Sequence, residues 1–269
     1  MAPADAGQLM RAAHAEWTKL RTLPSTGWLM LLTVAGTVGL GLAITGSLDY
    51  THCAPPCRVD TTKLSLTGVR LGQVGVLVLA VLATTAEYST RTIRPTLLAV
   101  PRRPRVVLGK LGVLTVLGVV TGVLAVAGSL VAGRAVLPGN GFTAAHGFPA
   151  LSLADDLTRR AALGTVVYLG LVALLGAGLG LLLRDTAGAL TAALGLLYGA
   201  PVLALFVSDP TWQHRIHRYA PMDAGLAIQS TRDLAAAHIG PWAGLGVLSA
   251  YAAAAVVAGL VLFQLRDTR

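Results

Sequence analysis

Six apolar runs of membrane-spanning length dominate the sequence: residues 28–47, 71–86, 111–133, 161–183, 186–207 and 241–265. A spanning helix needs about 20 predominantly apolar residues. The second run is short, and a start nearer Leu66, with the Arg70 side chain reaching back to the interface, brings it to length. Only Arg184-Asp185 separates the fourth run from the fifth. Two such charges are costly at a bilayer centre, so they predict a tight turn at a membrane surface.

Composition agrees. Of 269 residues, 54% are hydrophobic and 12% charged, about half the charge density of a soluble domain. The 31 glycines suit closely packed membrane helices. The expected fold class is all-α: a polytopic membrane protein with six transmembrane helices in a single domain over residues 1–269. Residues 1–27 form a cytoplasmic amphipathic N-terminal segment, polar enough to argue against a cleaved signal. Net charge is +9. In a chain this apolar, that charge reports orientation and contact with anionic headgroups rather than nucleic acid.

Six spans put both termini on one side. That side carries twelve cations: Arg11, Lys19, Arg21, Arg91, Arg94, Arg102, Arg103, Arg105, Lys110, Arg184, Arg266 and Arg269. The other side carries nine. Half of the twelve crowd the loop between runs two and three, where the positive-inside rule applies best, so this side is read as cytoplasmic. The expected location is the cell membrane, multi-pass, with both termini in the cytoplasm. Arg102, Arg103, Arg105 and Lys110 are read as the topogenic basic residues that enter the inner leaflet. On the opposite side, Cys53 and Cys57 in HCAPPC are read as a small disulfide loop; two free thiols, or a zinc ligand pair with His52, are the alternatives.

The loop at 87–105 has a polar order that a basic lipid anchor does not require. EYSTRTIRPTLLAVPRRPRVVLGK, residues 87–110, resembles the cytoplasmic loop of permease subunits of ABC-2 type transporters. There a similar E-Y-x-T-G-T-I-R-x-T-L-x-x-x-P-x-R element follows the second span. AEWTKLRTLPSTGWLML, residues 15–31, is similar to the family's start, where an E-x-x-K-L-R segment lies on the inner leaflet. Arg91 stands where the family pattern has glycine.

Pro95 suits a first helical turn and Pro101 ends one, so 96–100 reads as a short helix along the membrane surface; the resemblance implies that this loop forms a coupling helix against a separate ATPase subunit. Glu87, Tyr88, Thr90, Arg91, Thr92, Ile93, Arg94 and Thr96 would sit at or near that contact. It implies that Glu16, Lys19 and Arg21 lie on the inner leaflet with Trp17 and Leu20 buried in it; a simple membrane anchor is the alternative. A six-span chain would be half a transporter and would form a homodimer, for which Gly36, Gly39 and Gly41, or Gly176, Gly178 and Gly180, offer close-approach faces.

This chain is not expected to be an enzyme. Gly109-Lys110 is followed by Leu111 and lacks the upstream glycine of a P-loop. ATP and magnesium would belong to the partner ATPase, so no cofactor is expected here, and no metal. Asp155-Asp156 is read as a helix opening, with Ser152 capping nearby and Arg159 and Arg160 one turn on. His214 and His217 lack a carboxylate companion for metal binding. The segment 208–240 is read as extracytoplasmic and partly re-entrant, a gate around Trp212, Tyr219, Pro221 and Met222. Pro201 is placed to kink span five.

The expected cargo is a hydrophobic or amphipathic compound (a drug, peptide or lipid-like molecule), exported. The alternative is a stand-alone secondary transporter or another polytopic protein without an ATPase partner. A secondary transporter needs ionisable groups near mid-membrane, whereas Gln73 and Tyr168 are among the most polar large residues of the spans. An intramembrane enzyme would need a catalytic pair at depth, and no such pair is evident.

Overall fold

Proline and aspartate set the helix boundaries. The computed structural model describes residues 3–51, 59–89, 103–234 and 237–266. Their helices run α1 Pro3–Thr22, α2 Pro24–Gly46, α3 Thr61–Ser65, α4 Val69–Ser89, α5 Arg103–Val136, α6 Asp156–Leu183, α7 Thr186–Ala204, α8 Pro210–Tyr219, α9 Pro221–Leu226 and α10 Pro241–Arg266. No strand occurs among the described residues. Helices α2, α8, α9 and α10 each begin on proline, whose missing N–H is unneeded in a first turn. Asp60, Asp155, Asp185 and Asp209 cap α3, α6, α7 and α8, each accepting a backbone N–H from the first turn.

Helices α2, α4, α5, α6, α7 and α10 are long and apolar enough to cross a membrane. The chain is an all-α, multi-pass membrane protein. Its outer faces carry exposed Leu31, Leu32, Val120, Leu124, Leu163 and Val257, for which lipid is the matching solvent. Helix α1 lies at the end of the bundle where α2 begins, termed here the proximal end; α3, α8 and α9 lie at the distal end.

Helix α6 is the hub. Of its most apolar stretch 61% is buried, against 22% in α2 and in α7, and it packs against α10, α5, α4 and α7. Small residues allow this. A Cβ added at Gly178 would stand 2.7 Å from the Val256 backbone nitrogen on α10, and one at Gly180 would overlap the Thr84 hydroxyl on α4. The 176–180 stripe, expected as a dimer face, is therefore spent inside the chain. Of the other stripe, Gly41 packs on the Ser65 carbonyl, while Gly39 faces open space.

The α2–α4 seam sets Thr33 and Thr37 against Gly75 and Gly72. Both threonine hydroxyls donate back to their own helix, to Leu29 O at 2.7 Å and Thr33 O at 2.6 Å. No hydroxyl is left unsatisfied at that contact, as burial demands.

The Arg184-Asp185 turn forms as expected. Arg184 takes the left-handed conformation (φ 57°) that ends α6, and Asp185 caps α7 through Gly188 N at 2.6 Å. Helix α5 differs from expectation. It starts at Arg103 rather than near Leu111, so Arg103, Arg105 and Lys110 belong to its first turns, not to a loop before it. Asp155, not Ser152, caps α6; Ser152 Oγ accepts from Ala154 N instead. Arg159 pairs with Asp156 at 2.5 Å on the surface.

Candidate functional site

Two places gather chemistry: the proximal junction of α1, α4 and α5, and a distal cavity. At the proximal junction Lys110, 4% exposed, lies 3.6 Å from Glu16, 7% exposed. Its ammonium also donates to the Ala83 carbonyl at 3.4 Å. Expected at the lipid surface, Lys110 is instead a buried tie between three helices. Burial is tolerable because the charge is paired and hydrogen-bonded. Leu20 is likewise a core residue, 6% exposed, rather than a lipid anchor, whereas Trp17 stays 40% exposed. Lys19 and Arg21 are exposed. Beside this junction the Thr85 and Thr186 hydroxyls meet at 2.7 Å and join α4 to α7.

Glu87 and Tyr88 stand in the last turn of α4. The rest of the expected coupling contact (Thr90, Arg91, Thr92, Ile93, Arg94 and Thr96), together with Arg102, Cys53 and Cys57, lies outside the described residues.

The distal cavity is built on Asp60. Its carboxylate caps α3 through Lys63 N at 3.0 Å. The same carboxylate accepts from Thr231 N at 2.5 Å, Thr231 Oγ1 at 2.7 Å and Arg232 N at 3.1 Å. Two loops 171 residues apart are thereby pinned together. Arg160 donates to Ser230 O at 2.5 Å. Arg232 donates to Gly147 O at 2.9 Å, and its guanidinium sits 5.5 Å from the Phe148 ring centroid. Across the cavity, His217 Nδ1 lies 2.7 Å from Asp223 Oδ2, tying α8 to α9.

The space, open on one side, is about 780 Å³, the size of a site for a drug-sized molecule. Lys63 and Arg70 line one side; Pro201, Val202 and Leu205 line another. Tyr198 and Met222 meet the floor. Behind them Gln73, fully buried, donates to Tyr198 Oη at 2.8 Å, lies 2.9 Å from Met222 Sδ, and accepts from Tyr168 Oη. Tyr198 Oη donates to the Arg70 carbonyl. Gln73 and Tyr168, both singled out in the sequence, thus join Tyr198 in one saturated network closing the cavity from the bundle interior.

The expected gate residues do not assemble. Pro221 and Met222 are buried in the short α9, while Trp212 and Tyr219 are 56% and 58% exposed on α8. The segment packs onto the helix bundle through α9. Gly225 abuts the Tyr168 ring, where a Cβ would stand 2.6 Å away.

His238 joins His214 and His217, with ring centroids at 4.8 and 5.3 Å. Desolvation holds His238 below the ordinary histidine value, with further lowering from His214 and His217. Among the described residues no three ligands are placed to hold a metal ion.

No family model, curated protein or solved structure matches this chain.

Sequence reasoning missed Tyr198, Asp60, Asp223 and His238. Asp60 had a readable signal, the D-T-T-K start of a capped helix. The other three enter only through tertiary contacts.

Proposed function

We propose that the chain is the permease subunit of an ABC-2 type transporter, working as a dimer with a separate ATPase and exporting an amphipathic compound. The observation that carries this reading is the Glu16–Lys110 pair. The two segments that resemble the family, 15–31 and 87–110, are far apart in sequence. Their described parts meet at one end of the bundle through those two side chains. An interfacial helix tied to the start of the third span and to the end of the second would be moved by force applied to the intervening loop.

In this reading the proximal end is cytoplasmic. The ATPase presses on residues 87–105, and the push passes through α4 and α5. Helix α5 packs on α6, and α6 packs on α10, so a displacement reaches the bundle's hub. Glu87 and Arg94 would supply charged hydrogen bonds to the partner. The distal cavity would then open on the extracytoplasmic side.

The test is a pulldown of the full-length chain with its candidate ATPase in detergent. Wild type should recover a stoichiometric ATPase, and Glu87→Ala and Arg94→Ala should lose it while remaining monodisperse. A well-folded wild type that never recruits an ATPase would overturn the reading.

A further inference from the structure

The distal cavity combines three properties that together select a ligand. The first is depth. Its apolar wall is the distal end of α7 and the residues after it, where Val202, Leu203, Leu205 and Phe206 are 49%, 62%, 81% and 80% exposed. Trp212, Tyr219 and Trp242 are exposed at the same end. Amphipathic aromatic rings favour the headgroup zone of a bilayer. The cavity therefore opens where lipid meets water, with one wall continuous with the lipid-facing surface.

The second property is a pair of uncommitted cationic donors. The Asp60 carboxylate is spent on four backbone and hydroxyl donors. Asp223 is spent on His217, and the Arg232 guanidinium turns to Gly147 and Phe148. Lys63 and Arg70 remain exposed at the lining, with no ion pair to either among the described residues. Asp233 at the rim is the one lining carboxylate without a partner among the described residues. The formal charges of the lining balance, Lys63, Arg70 and Arg232 against Asp60, Asp223 and Asp233, but Lys63 and Arg70 are the two cations whose ammonium and guanidinium donors are not already spent among the described residues.

The third property is size. About 780 Å³ holds a head group and part of one chain, but not a whole two-chain lipid, so a longer tail would leave along α7.

We infer that this cavity binds an amphiphile with an anionic head, a phosphate or carboxylate, held by Lys63 and Arg70 while its hydrocarbon chain lies along Pro201, Val202 and Leu205. Arg70 supplies a planar fork that suits either head. The inference rests on the permease reading only in making this ligand the cargo; as a binding site it stands without an ATPase.

The experiment uses the full-length protein in phosphatidylcholine nanodiscs, with radiolabelled dodecyl phosphate as probe and empty nanodiscs as background. Saturable binding is expected. The double variant Lys63→Gln/Arg70→Gln should bind roughly tenfold more weakly or worse, as loss of charged hydrogen bonds implies. Dodecyltrimethylammonium, with a similar chain and the opposite charge, should not compete. Val202→Asn should weaken binding yet keep the preference for the anion. Arg215→Gln, on exposed α8 outside the cavity, should bind as wild type does.

Doping the disc with phosphatidylglycerol separates the sources. Displacement of the probe identifies a bilayer lipid as occupant, and its absence identifies a single-chain amphiphile arriving from water. Uptake equal to empty discs, binding unchanged in the double variant, or equal competition by the cation would overturn the inference. Binding that persists when no ATPase is recruited would leave this site standing and remove only the permease reading.

Discussion

Glu16 Oε2 and Lys110 Nζ lie 3.6 Å apart, with their side chains 10% and 5% exposed. This pair fastens an N-terminal helix of modest apolarity to a membrane-spanning bundle. Truncating one partner removes a buried ion pair from the other, a loss of up to about 3–5 kcal/mol. Glu16→Gln and Lys110→Met should each lower the melting temperature in micelles sharply. The double variant should lose less than the sum of the two single losses, because the shared ion pair is lost only once. Additive losses in a double-mutant cycle would show that the two side chains act independently.

Glycines that look alike in the sequence are predicted to behave oppositely. At Gly178 a Cβ would meet α10 backbone at 2.7 and 2.8 Å, and backbone cannot rotate away. Gly178→Ala should destabilise the bundle by about 1–3 kcal/mol through overpacking. At Gly39 nothing lies within 4 Å, so Gly39→Ala should be neutral or gain about 0.5–1 kcal/mol from helix propensity. Thermal unfolding of the two variants side by side checks both. A purified Gly39→Ala that keeps its melting temperature but loses self-association would mark this open face as the dimer contact.

The fold was legible because spans announce themselves by length. Residues 161–183 and 186–207 were separable on Arg184-Asp185 alone, since two adjacent charges have one cheap location, a surface turn. The start of α5 was misplaced because Arg103, Arg105 and Lys110 look topogenic. A lysine's burial depends on a partner, here Glu16, 94 residues away in sequence, and local pattern cannot supply one. The same holds at the distal cavity. His214 and His217 are visible as a spaced pair, but His238 and Asp223 reach them only after α8 and α9 have folded back. Gln73 and Tyr168 stood out as polar in apolar runs. Their joint role needed Tyr198, which reads as an ordinary interfacial tyrosine.

The histidine cluster gives stability a pH dependence of definite sign. His238 is held below its ordinary value of 6.5, first by desolvation and then by His214 and His217; Lys63 adds to the lowering and Asp223 opposes it. The unfolded chain therefore binds a proton more readily than the folded one. The His238 contribution is fully present above pH 6.5 and is lost as pH falls through the lower folded value. Between about pH 7.5 and 5 the wild type should lose melting temperature, and His238→Gln should flatten part of that slope. A parallel slope in the variant would assign the loss to other groups.

Gln73 makes the last prediction, because its network is closed on all sides. Its amide oxygen accepts from Tyr168 and its nitrogen donates to Tyr198, with both Gln73 and Tyr168 fully buried. Gln73→Leu removes one partner and leaves the Tyr168 hydroxyl buried and unsatisfied, which costs about 1–3 kcal/mol. Tyr168→Phe alone leaves the Gln73 carbonyl short of its donor and should cost less, since the amide nitrogen keeps its acceptors. The double variant Gln73→Leu/Tyr168→Phe removes both stranded groups and should sit nearer wild type than Gln73→Leu does. Melting temperatures of the three variants decide it. The network also floors the distal cavity, so Gln73→Leu should raise the accessibility of a cysteine placed at Leu77, one turn deeper on α4, to a small water-soluble maleimide. Recovery of stability in the double variant without closure of that path would separate the network's structural role from its role as a barrier.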